Sequence, residues 1–474
     1  MSSLDTVKVA AAVGQRQTGG KVPESAHCND SVVTTSLQTA VDSSKDVSQG
    51  VGRMREEEGL PVLHQAPTSP QMELACNQQN HCAASGDNDN SDDREILRRE
   101  AAKLIIFGFD GTSINEHARR MLALGVGGVI LFSRNIVDPE QAAGLCAELK
   151  RRSSNSRLLI MVDQEGGKSC QLHPQCKFTP LPTAREVGST KDPQAAVKVA
   201  TVIGRELRAI HIDVCLGPVV DIDTNPANPI IAERSYGRTP EIVSSMSEAF
   251  IRQLQSQGVA GCAKHYPGHG DTPVDSHVEL PTVTHGLDRL NGVELAPFRV
   301  AVRADVASIM VAHVAFPALS YSCPSLLSRE ERERDASLPA SMSTGALNYL
   351  RNQLGYSGLV LSDCLEMGGI TRRFSVAEAA VAGLRAGVDM FLVCHTEESQ
   401  RSAIDAIVGA VNDQSLPLER LREARSRVDA LLDQYSVAPW KEHHLEGAGN
   451  GTGENFDGAD LRIKRSSTMA GMRT

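Results

Sequence analysis

Leu158-Leu159-Ile160-Met161-Val162-Asp163-Gln164-Glu165-Gly166-Gly167 is the stretch that sets the reading of this chain. Its first five residues are continuously apolar, without the alternation of a half-exposed strand, which is the pattern of a strand covered on both faces. The run then breaks into three oxygen-bearing side chains and two glycines. The same shape recurs. Apolar runs at 104–109, 128–132, 214–222, 259–264, 308–315, 359–363 and 388–394 bring the total to eight. Amphipathic helical stretches at 116–124, 139–151, 193–210, 240–257 and 377–386 separate most of them. Strands alternating with helices imply a parallel sheet. Eight such units within one stretch of chain point to an α/β protein of the (β/α)8 TIM-type barrel class. A doubly wound open sheet produces the same alternation and is the other arrangement to weigh. A last helix at 418–434 closes a single domain spanning 96–437.

The two ends read differently. Residues 1–95 contain no Phe, Trp or Tyr, and hold 7 Lys/Arg against 14 Asp/Glu, so they carry −7 of the formal net charge of −10. Such a segment buries too little apolar surface to offset its chain entropy and is expected to be disordered. A short helix at 54–58 would be marginal by itself. The Gly-rich stretch 438–474 is expected to be a flexible tail. The sequons at Asn29 and Asn450 fall in these two segments.

An acidic balance argues against a general nucleic-acid binder. No apolar run reaches the roughly 18 residues of a membrane span, and the N-terminus has no charged start followed by an apolar block. The 11 cysteines are odd in number and include no C-x-x-C pair, which fits free thiols in a reducing compartment better than a disulfide framework. A cytoplasmic location is the resulting expectation.

Polar residues follow the apolar runs. Asp163-Gln164-Glu165 follows one, Lys264-His265-Tyr266-Pro267-Gly268-His269-Gly270 another, and Ser362-Asp363-Cys364 a third. All strand C-termini of a barrel open on one face, so these groups converge there. The longest such segment, 264–277, continues Asp271-Thr272-Pro273-Val274-Asp275-Ser276-His277. Its glycines and prolines forbid a helix, and the His265–His269 spacing suits a metal site only on a helix. The loop offers instead Asp275 and His277, two residues apart. A carboxylate beside an imidazole sets its tautomer and favours its protonated form, as a proton donor needs. By position, Asp363 is a nucleophile, a base, a metal ligand or a helix cap.

Five segments, at 127–135 (GGVILFSRN), 162–167 (VDQEGG), 228–237 (NPIIAERSYG), 264–277 (KHYPGHGDTPVDSH) and 358–367 (GLVLSDCLEM), resemble glycoside hydrolase family 3, in its single-domain β-N-acetylhexosaminidase (β-N-acetylglucosaminidase) branch. They occur in family order across the domain. The resemblance implies a (β/α)8 barrel and a retaining exo-β-N-acetylglucosaminidase. It implies Asp363 as nucleophile, His277 as general acid/base, Asp275 as its partner, and Asp163, Arg234, Lys264 and His265 as residues that hold the sugar ring. An imidazole would then replace the second carboxylate usual in retaining glycosidases. The long, Gly-rich dyad loop is expected to close over substrate.

Two departures from the branch stand out. Gln171 occupies a place where a substrate-contacting Arg is common, which puts an anionic leaving-group sugar in doubt. Cys364 follows the nucleophile where Asp is common and reads as a small packing substitution. A neutral imidazole does not repel phosphate as a carboxylate would, so phosphorolysis is an alternative to hydrolysis. A β-glucosidase, a sugar-binding pseudoenzyme and a metal-dependent barrel hydrolase are further alternatives. Larger family members add a second domain that supplies an acid/base Glu, and the dyad at 275–277 favours the single-domain branch. The expected partner is a carbohydrate (a β-N-acetylglucosaminide), not a nucleic acid or a membrane. Acid, base and nucleophile suffice for glycosyl transfer to water, so no cofactor and no metal are expected.

Overall fold

The computed structural model describes residues 89–155 and 157–436, with side chains from residue 93. The short helix at 54–58, the 438–474 tail and both sequons lie outside the described residues, as does most of the 1–95 segment. The exception is the helix Asp89–Ala102, which begins inside the stretch expected to be unstructured. Composition alone hid it. Arg99 in its last turn suits the helix dipole, and Leu97, Ala101 and Ala102 pack against the core.

The eight barrel strands are β1 (Ile105–Phe107), β2 (Gly128–Leu131), β3 (Leu159–Val162), β4 (Val214–Cys215), β5 (Ala260–Tyr266), β6 (Ser308–Val311), β7 (Leu359–Cys364) and β8 (Met390–Val393). They begin inside the eight apolar runs. Each pairs in parallel with the next, and β1 pairs with both β2 and β8. That closure decides for the barrel over the open sheet. β4 is shortest because Gly217-Pro218 interrupts it; proline has no N–H to give the ladder. The chain rejoins the sheet at Val219, which bridges to Lys264.

Local chemistry sets the helices between strands. Asn115 caps the helix Glu116–Leu124 by accepting from Ala118 N at 2.8 Å, and Gly125 ends it in the left-handed region at φ 81°. The helices Pro139–Arg152 and Pro193–Ala209 each start with an Asp cap followed by Pro. The helix Val376–Ala386 starts with a reciprocal capping box between Ser375 and Glu378. The final helix, Leu418–Tyr435, packs back through Leu421, Ala424, Val428 and Leu432. Among the described residues, no helix is long and apolar enough to cross a membrane.

Two irregularities position the chemistry. Between β5 and β6 the register passes from Ala263↔Ile309 to Tyr266↔Val311, so β5 uses three steps against two. Between β7 and β8 it passes from Leu361↔Met390 to Cys364↔Leu392, again three against two. Each extra residue bends its strand and re-aims side chains. The affected stretches contain Lys264-His265 and Ser362-Asp363. At the opposite end of the barrel, fully buried Asp389 accepts from Arg351 and Arg420, each at 2.6 Å, and from Arg427 at 3.1 Å.

Candidate active site

A cavity of about 480 Å³ opens at the C-terminal ends of the strands. Asp163, Lys264, His265 and Asp363 line it from β3, β5 and β7 or the residue just beyond them, and Arg234 and His277 from connecting segments. The sequence-predicted residues therefore meet in one place, although they are spread over 200 positions of chain.

Lys264 is 2% exposed. Its Nζ donates to Asp163 Oδ1 at 2.6 Å and to Glu165 Oε1 at 2.7 Å. A buried ammonium costs far too much free energy unless it is paired, and here two carboxylates pair it. Burial lowers the Lys264 pKa, but Asp163 and Glu165 outweigh it and hold the amine well above its ordinary value. Arg234 closes the same network, donating to both oxygens of Glu165 at 2.8 Å in a fork. Burial pushes the Glu165 carboxyl up, while Lys264 and Arg234 more than reverse this and hold it below the carboxylate range. Glu165 is thus the hub that fixes two cations on the cavity wall, a role that its place in a polar cluster of the sequence does not reveal.

A second network centres on Asp221, which sequence reading placed inside an apolar run and passed over. Its Oδ2 accepts from His265 Nδ1 at 2.7 Å, and its Oδ1 accepts from His269 N at 2.6 Å. The His265 backbone N–H also points at this carboxylate, at 3.2 and 3.3 Å. The other imidazole nitrogen, Nε2, faces Arg234 at 3.4 Å. Burial raises the Asp221 pKa, but His265 and His269 bring it below its ordinary value. The lone charge in a run otherwise made of Val, Leu, Ile, Cys, Gly and Pro was the available signal.

His269 serves the loop and not a metal. Its Nδ1 meets Thr272 Oγ1 at 2.9 Å and its Nε2 meets Ser276 Oγ at 2.8 Å, so both ring nitrogens are occupied. Gly270 presses on the segment after β4; a Cβ there would lie 1.6 Å from Ile222 O, so no other residue fits. Asn228 adds three hydrogen bonds from Nδ2, to His269 O and to the carbonyl and hydroxyl of Thr272.

The loop carries Asp275 and His277. Asp275 Oδ1 accepts from both His277 Nδ1 and His277 N, each at 2.8 Å. This leaves Nε2 as the free ring nitrogen, on a side chain 60% exposed at the cavity. Gly368 N donates to His277 O at 3.0 Å and Gly369 N to Ser276 O at 2.9 Å. The loop expected to close only over substrate is therefore already tied to the turn that follows β7.

Asp363 is half-buried beneath this loop. Its Oδ1 accepts from Cys364 N at 2.7 Å. Burial raises its pKa, but His265, His313, the Cys364 N–H and His277 together bring it below the usual value, so the carboxylate is ionised at neutral pH. His313, another residue that sequence reading missed, is fully buried behind it. Its Nε2 lies 3.0 Å from Cys364 O and its Nδ1 2.8 Å from Ser341 Oγ. Burial lowers its pKa and keeps it neutral. Gln171 lines the cavity as an uncharged amide whose Oε1 accepts from Ser133 N at 2.8 Å.

An ionised carboxylate near the end of β7, an imidazole oriented by Asp275 and a Lys–Arg–carboxylate network all line one cavity at the C-terminal face of a barrel, where barrel enzymes place their chemistry. The sequence carries this further: residues 96–431 match the Glycosyl hydrolase family 3 N terminal domain, and the chain belongs to that family of glycoside hydrolases. It is 38% identical over 296 residues to a β-hexosaminidase of Thiobacillus denitrificans, an alignment covering 61% of this chain and 77% of the relative. It is 36% identical over 276 residues to β-hexosaminidase A of Pseudoalteromonas piscicida, covering 56% of this chain but only 46% of that longer protein. The fold superposes on a glycoside hydrolase family 3 β-N-acetylglucosaminidase from Paenibacillus sp. with a TM-score of 0.70 and 38% identity, covering 77% of this chain and 67% of that one.

Proposed function

We propose that this protein is a retaining exo-β-N-acetylglucosaminidase. The observation that carries the reading is that ionised Asp363 and the Asp275-oriented His277 face the same cavity as the Lys264–Asp163–Arg234 network. In the first step the Asp363 carboxylate attacks the anomeric carbon. The bond to the leaving oxygen breaks, and that oxygen takes the proton from His277 Nε2. The products are a glycosyl ester on Asp363 and a free alcohol. In the second step neutral His277 takes a proton from water, whose oxygen attacks the anomeric carbon and releases Asp363. Asp275 orients His277 throughout, as in Asp–His pairs elsewhere. Lys264, Asp163, Arg234 and His265 hold the hydroxyls of the terminal sugar.

Support for the N-acetylhexosamine class comes from relatives named β-hexosaminidase and from the neighbour named β-N-acetylglucosaminidase. The neutral Gln171 on the cavity wall favours an uncharged leaving group over an acidic sugar. Incubation with a chromogenic N-acetyl-β-glucosaminide, beside the matching plain glucoside, is the direct test. Turnover of the plain glucoside alone would reassign the sugar.

A second reading rests on the imidazole itself. With His277 in place of a carboxylate, inorganic phosphate can enter as acceptor without charge repulsion, and the product would be a sugar 1-phosphate. Product analysis with and without phosphate separates the two outcomes.

A further inference from the structure

Cys364, Glu366 and His395 bring a thiol, a carboxylate and an imidazole together beside Asp363, with their ligand-capable atoms all within 4.8 Å of one another. Cys364 ends β7, Glu366 lies in the following turn, and His395 lies just beyond β8. We propose that this cluster is a binding site for a thiophilic divalent cation, zinc above all, and that an ion bound there inhibits the enzyme. The inhibition rests on the glycosidase reading; the binding does not.

Sulfur, nitrogen and oxygen from Cys, His and Glu are the donors zinc takes. Metal–ligand distances of about 2.0–2.3 Å put neighbouring donors roughly 3.3–3.8 Å apart around a tetrahedral centre. Donors within 4.8 Å therefore need only small side-chain movements. Glu366 is already held. Its Oε1 accepts from Thr396 N at 3.0 Å and Thr396 Oγ1 at 2.7 Å, and its Oε2 from His395 N at 2.7 Å. These bonds leave Oε2 facing Cys364 Sγ at 3.9 Å. The His395 ring stacks on Phe132 with centroids 6.1 Å apart and planes 24° from parallel. His395 is exposed, so an ion has a route in.

Cys364, Cys394 and His395 all line the cavity. An ion held by the three donors keeps a fourth position for water or for Cys394. Binding releases the Cys364 proton to solvent, and the thiolate becomes the ligand. Two consequences reach the chemistry. A divalent charge sits next to Asp363 and weakens its carboxylate as a nucleophile. Any shift of Cys364 also moves the backbone N–H that orients Asp363 Oδ1. Cys364 is thus more than the packing substitution that its small size suggested.

The test uses the full-length chain. Zinc is titrated against a chromophoric chelator near neutral pH, and Co²⁺ is used in parallel for its thiolate charge-transfer absorption. Cys364→Ser and His395→Ala are each expected to weaken one equivalent of bound zinc by roughly tenfold or more, and Cys364→Ser to remove the thiolate band belonging to that equivalent. The exposed position of His395 makes its variant the safer one for folding. His277→Ala is expected to keep zinc binding intact. Unchanged zinc equivalents in both cluster variants would overturn the site, as would a loss confined to His277→Ala, which places the ion on the dyad. Zinc is expected to inhibit the unmodified enzyme and to inhibit His395→Ala much less; equal inhibition overturns the inhibitory role. If the glycosidase reading is wrong, metal-free protein shows no turnover while the zinc equivalents still stand.

Discussion

Asp221 Oδ2 lies 2.7 Å from His265 Nδ1, and this buried pair joins the end of β5 to the segment after β4. The same carboxylate accepts from the backbone N–H of His269, in the loop that follows β5. Asp221 is therefore a positioning residue for the cavity wall. Asp221→Asn puts amide N–H groups against N–H donors and is expected to destabilise the fold by about 1–3 kcal/mol. It is also expected to raise KM more than it lowers kcat, because His265 belongs to the proposed sugar-holding set. A thermal melt together with steady-state kinetics checks both, and kinetics unchanged beside a lowered melting temperature would confine Asp221 to stability.

Removal of the proposed nucleophile has the largest expected effect. Asp363→Asn should lower kcat by roughly 10⁴-fold or more while leaving the fold intact, since the side chain keeps its shape. Activity on a chromogenic N-acetyl-β-glucosaminide is the measurement. Near-normal turnover would sink the mechanism.

The acid role proposed for His277 predicts an asymmetry between substrates. His277→Ala should slow hydrolysis of sugar or alkyl glycosides by roughly 10²–10⁴-fold. Cleavage of an activated aryl glycoside should suffer far less in its first step, because that leaving group needs little protonation. Asp275→Asn should act in the same direction and more weakly. Equal losses on both substrates would contradict the assignment.

His269 predicts a pH dependence of stability. Burial, then the neighbouring His265, lowers its pKa to about 4 in the folded protein. The unfolded chain titrates near the ordinary value of about 6.5. Because the folded pKa is the lower one, the unfolded state binds the proton first as pH falls. Stability is complete above about pH 6.5 and declines toward about pH 4, by roughly 3 kcal/mol at full extent. The lowered carboxylates Glu165, Asp221 and Asp363 add their own losses, mainly below about pH 4.5. His269→Gln should flatten the upper part of this decline, read from denaturant midpoints across the range. An unchanged slope in His269→Gln would assign it elsewhere.

At the other end of the barrel, Asp389 gathers Arg351, Arg420 and Arg427 without touching the cavity. Asp389→Ala strands three cations, and the expected loss is about 3–5 kcal/mol of stability. Below the lowered melting temperature, kcat and KM should stay near their original values. A large kinetic defect in well-folded Asp389→Ala would mean that the two ends of the barrel are coupled.

Most of the barrel was legible in the sequence because its signal is local. Continuous apolar runs such as 158–163 and 388–394 mark strands covered on both sides, and an amphipathic stretch such as 139–151 marks a helix whether or not its neighbours are known. The early helix Asp89–Ala102 escaped because composition was averaged over a long acidic segment, while helix formation depends on one stripe meeting the core. The polar residues after the runs identified Asp163, Lys264 and Asp363 as site candidates, since a barrel gathers strand ends on one face. The motif resemblance added Arg234 and the roles.

What remained hidden depended on contacts made at long range. Glu165 became a hub only when Lys264 and Arg234 were folded onto it from positions 99 and 69 residues away. Asp221 and His313 looked like interruptions in apolar runs, and only burial beside other titratable groups gave them a purpose. Cys364, Glu366 and His395 form no sequence motif at all; they meet because β7 and β8 are neighbours in the closed sheet. The sequence by itself determined the eight strands, the helices between them and the family. Folding decided which charges pair, which imidazole nitrogens are spent and which carboxylate and imidazole meet the Cys364 thiol, because those outcomes depend on distances and burial that strand closure alone creates.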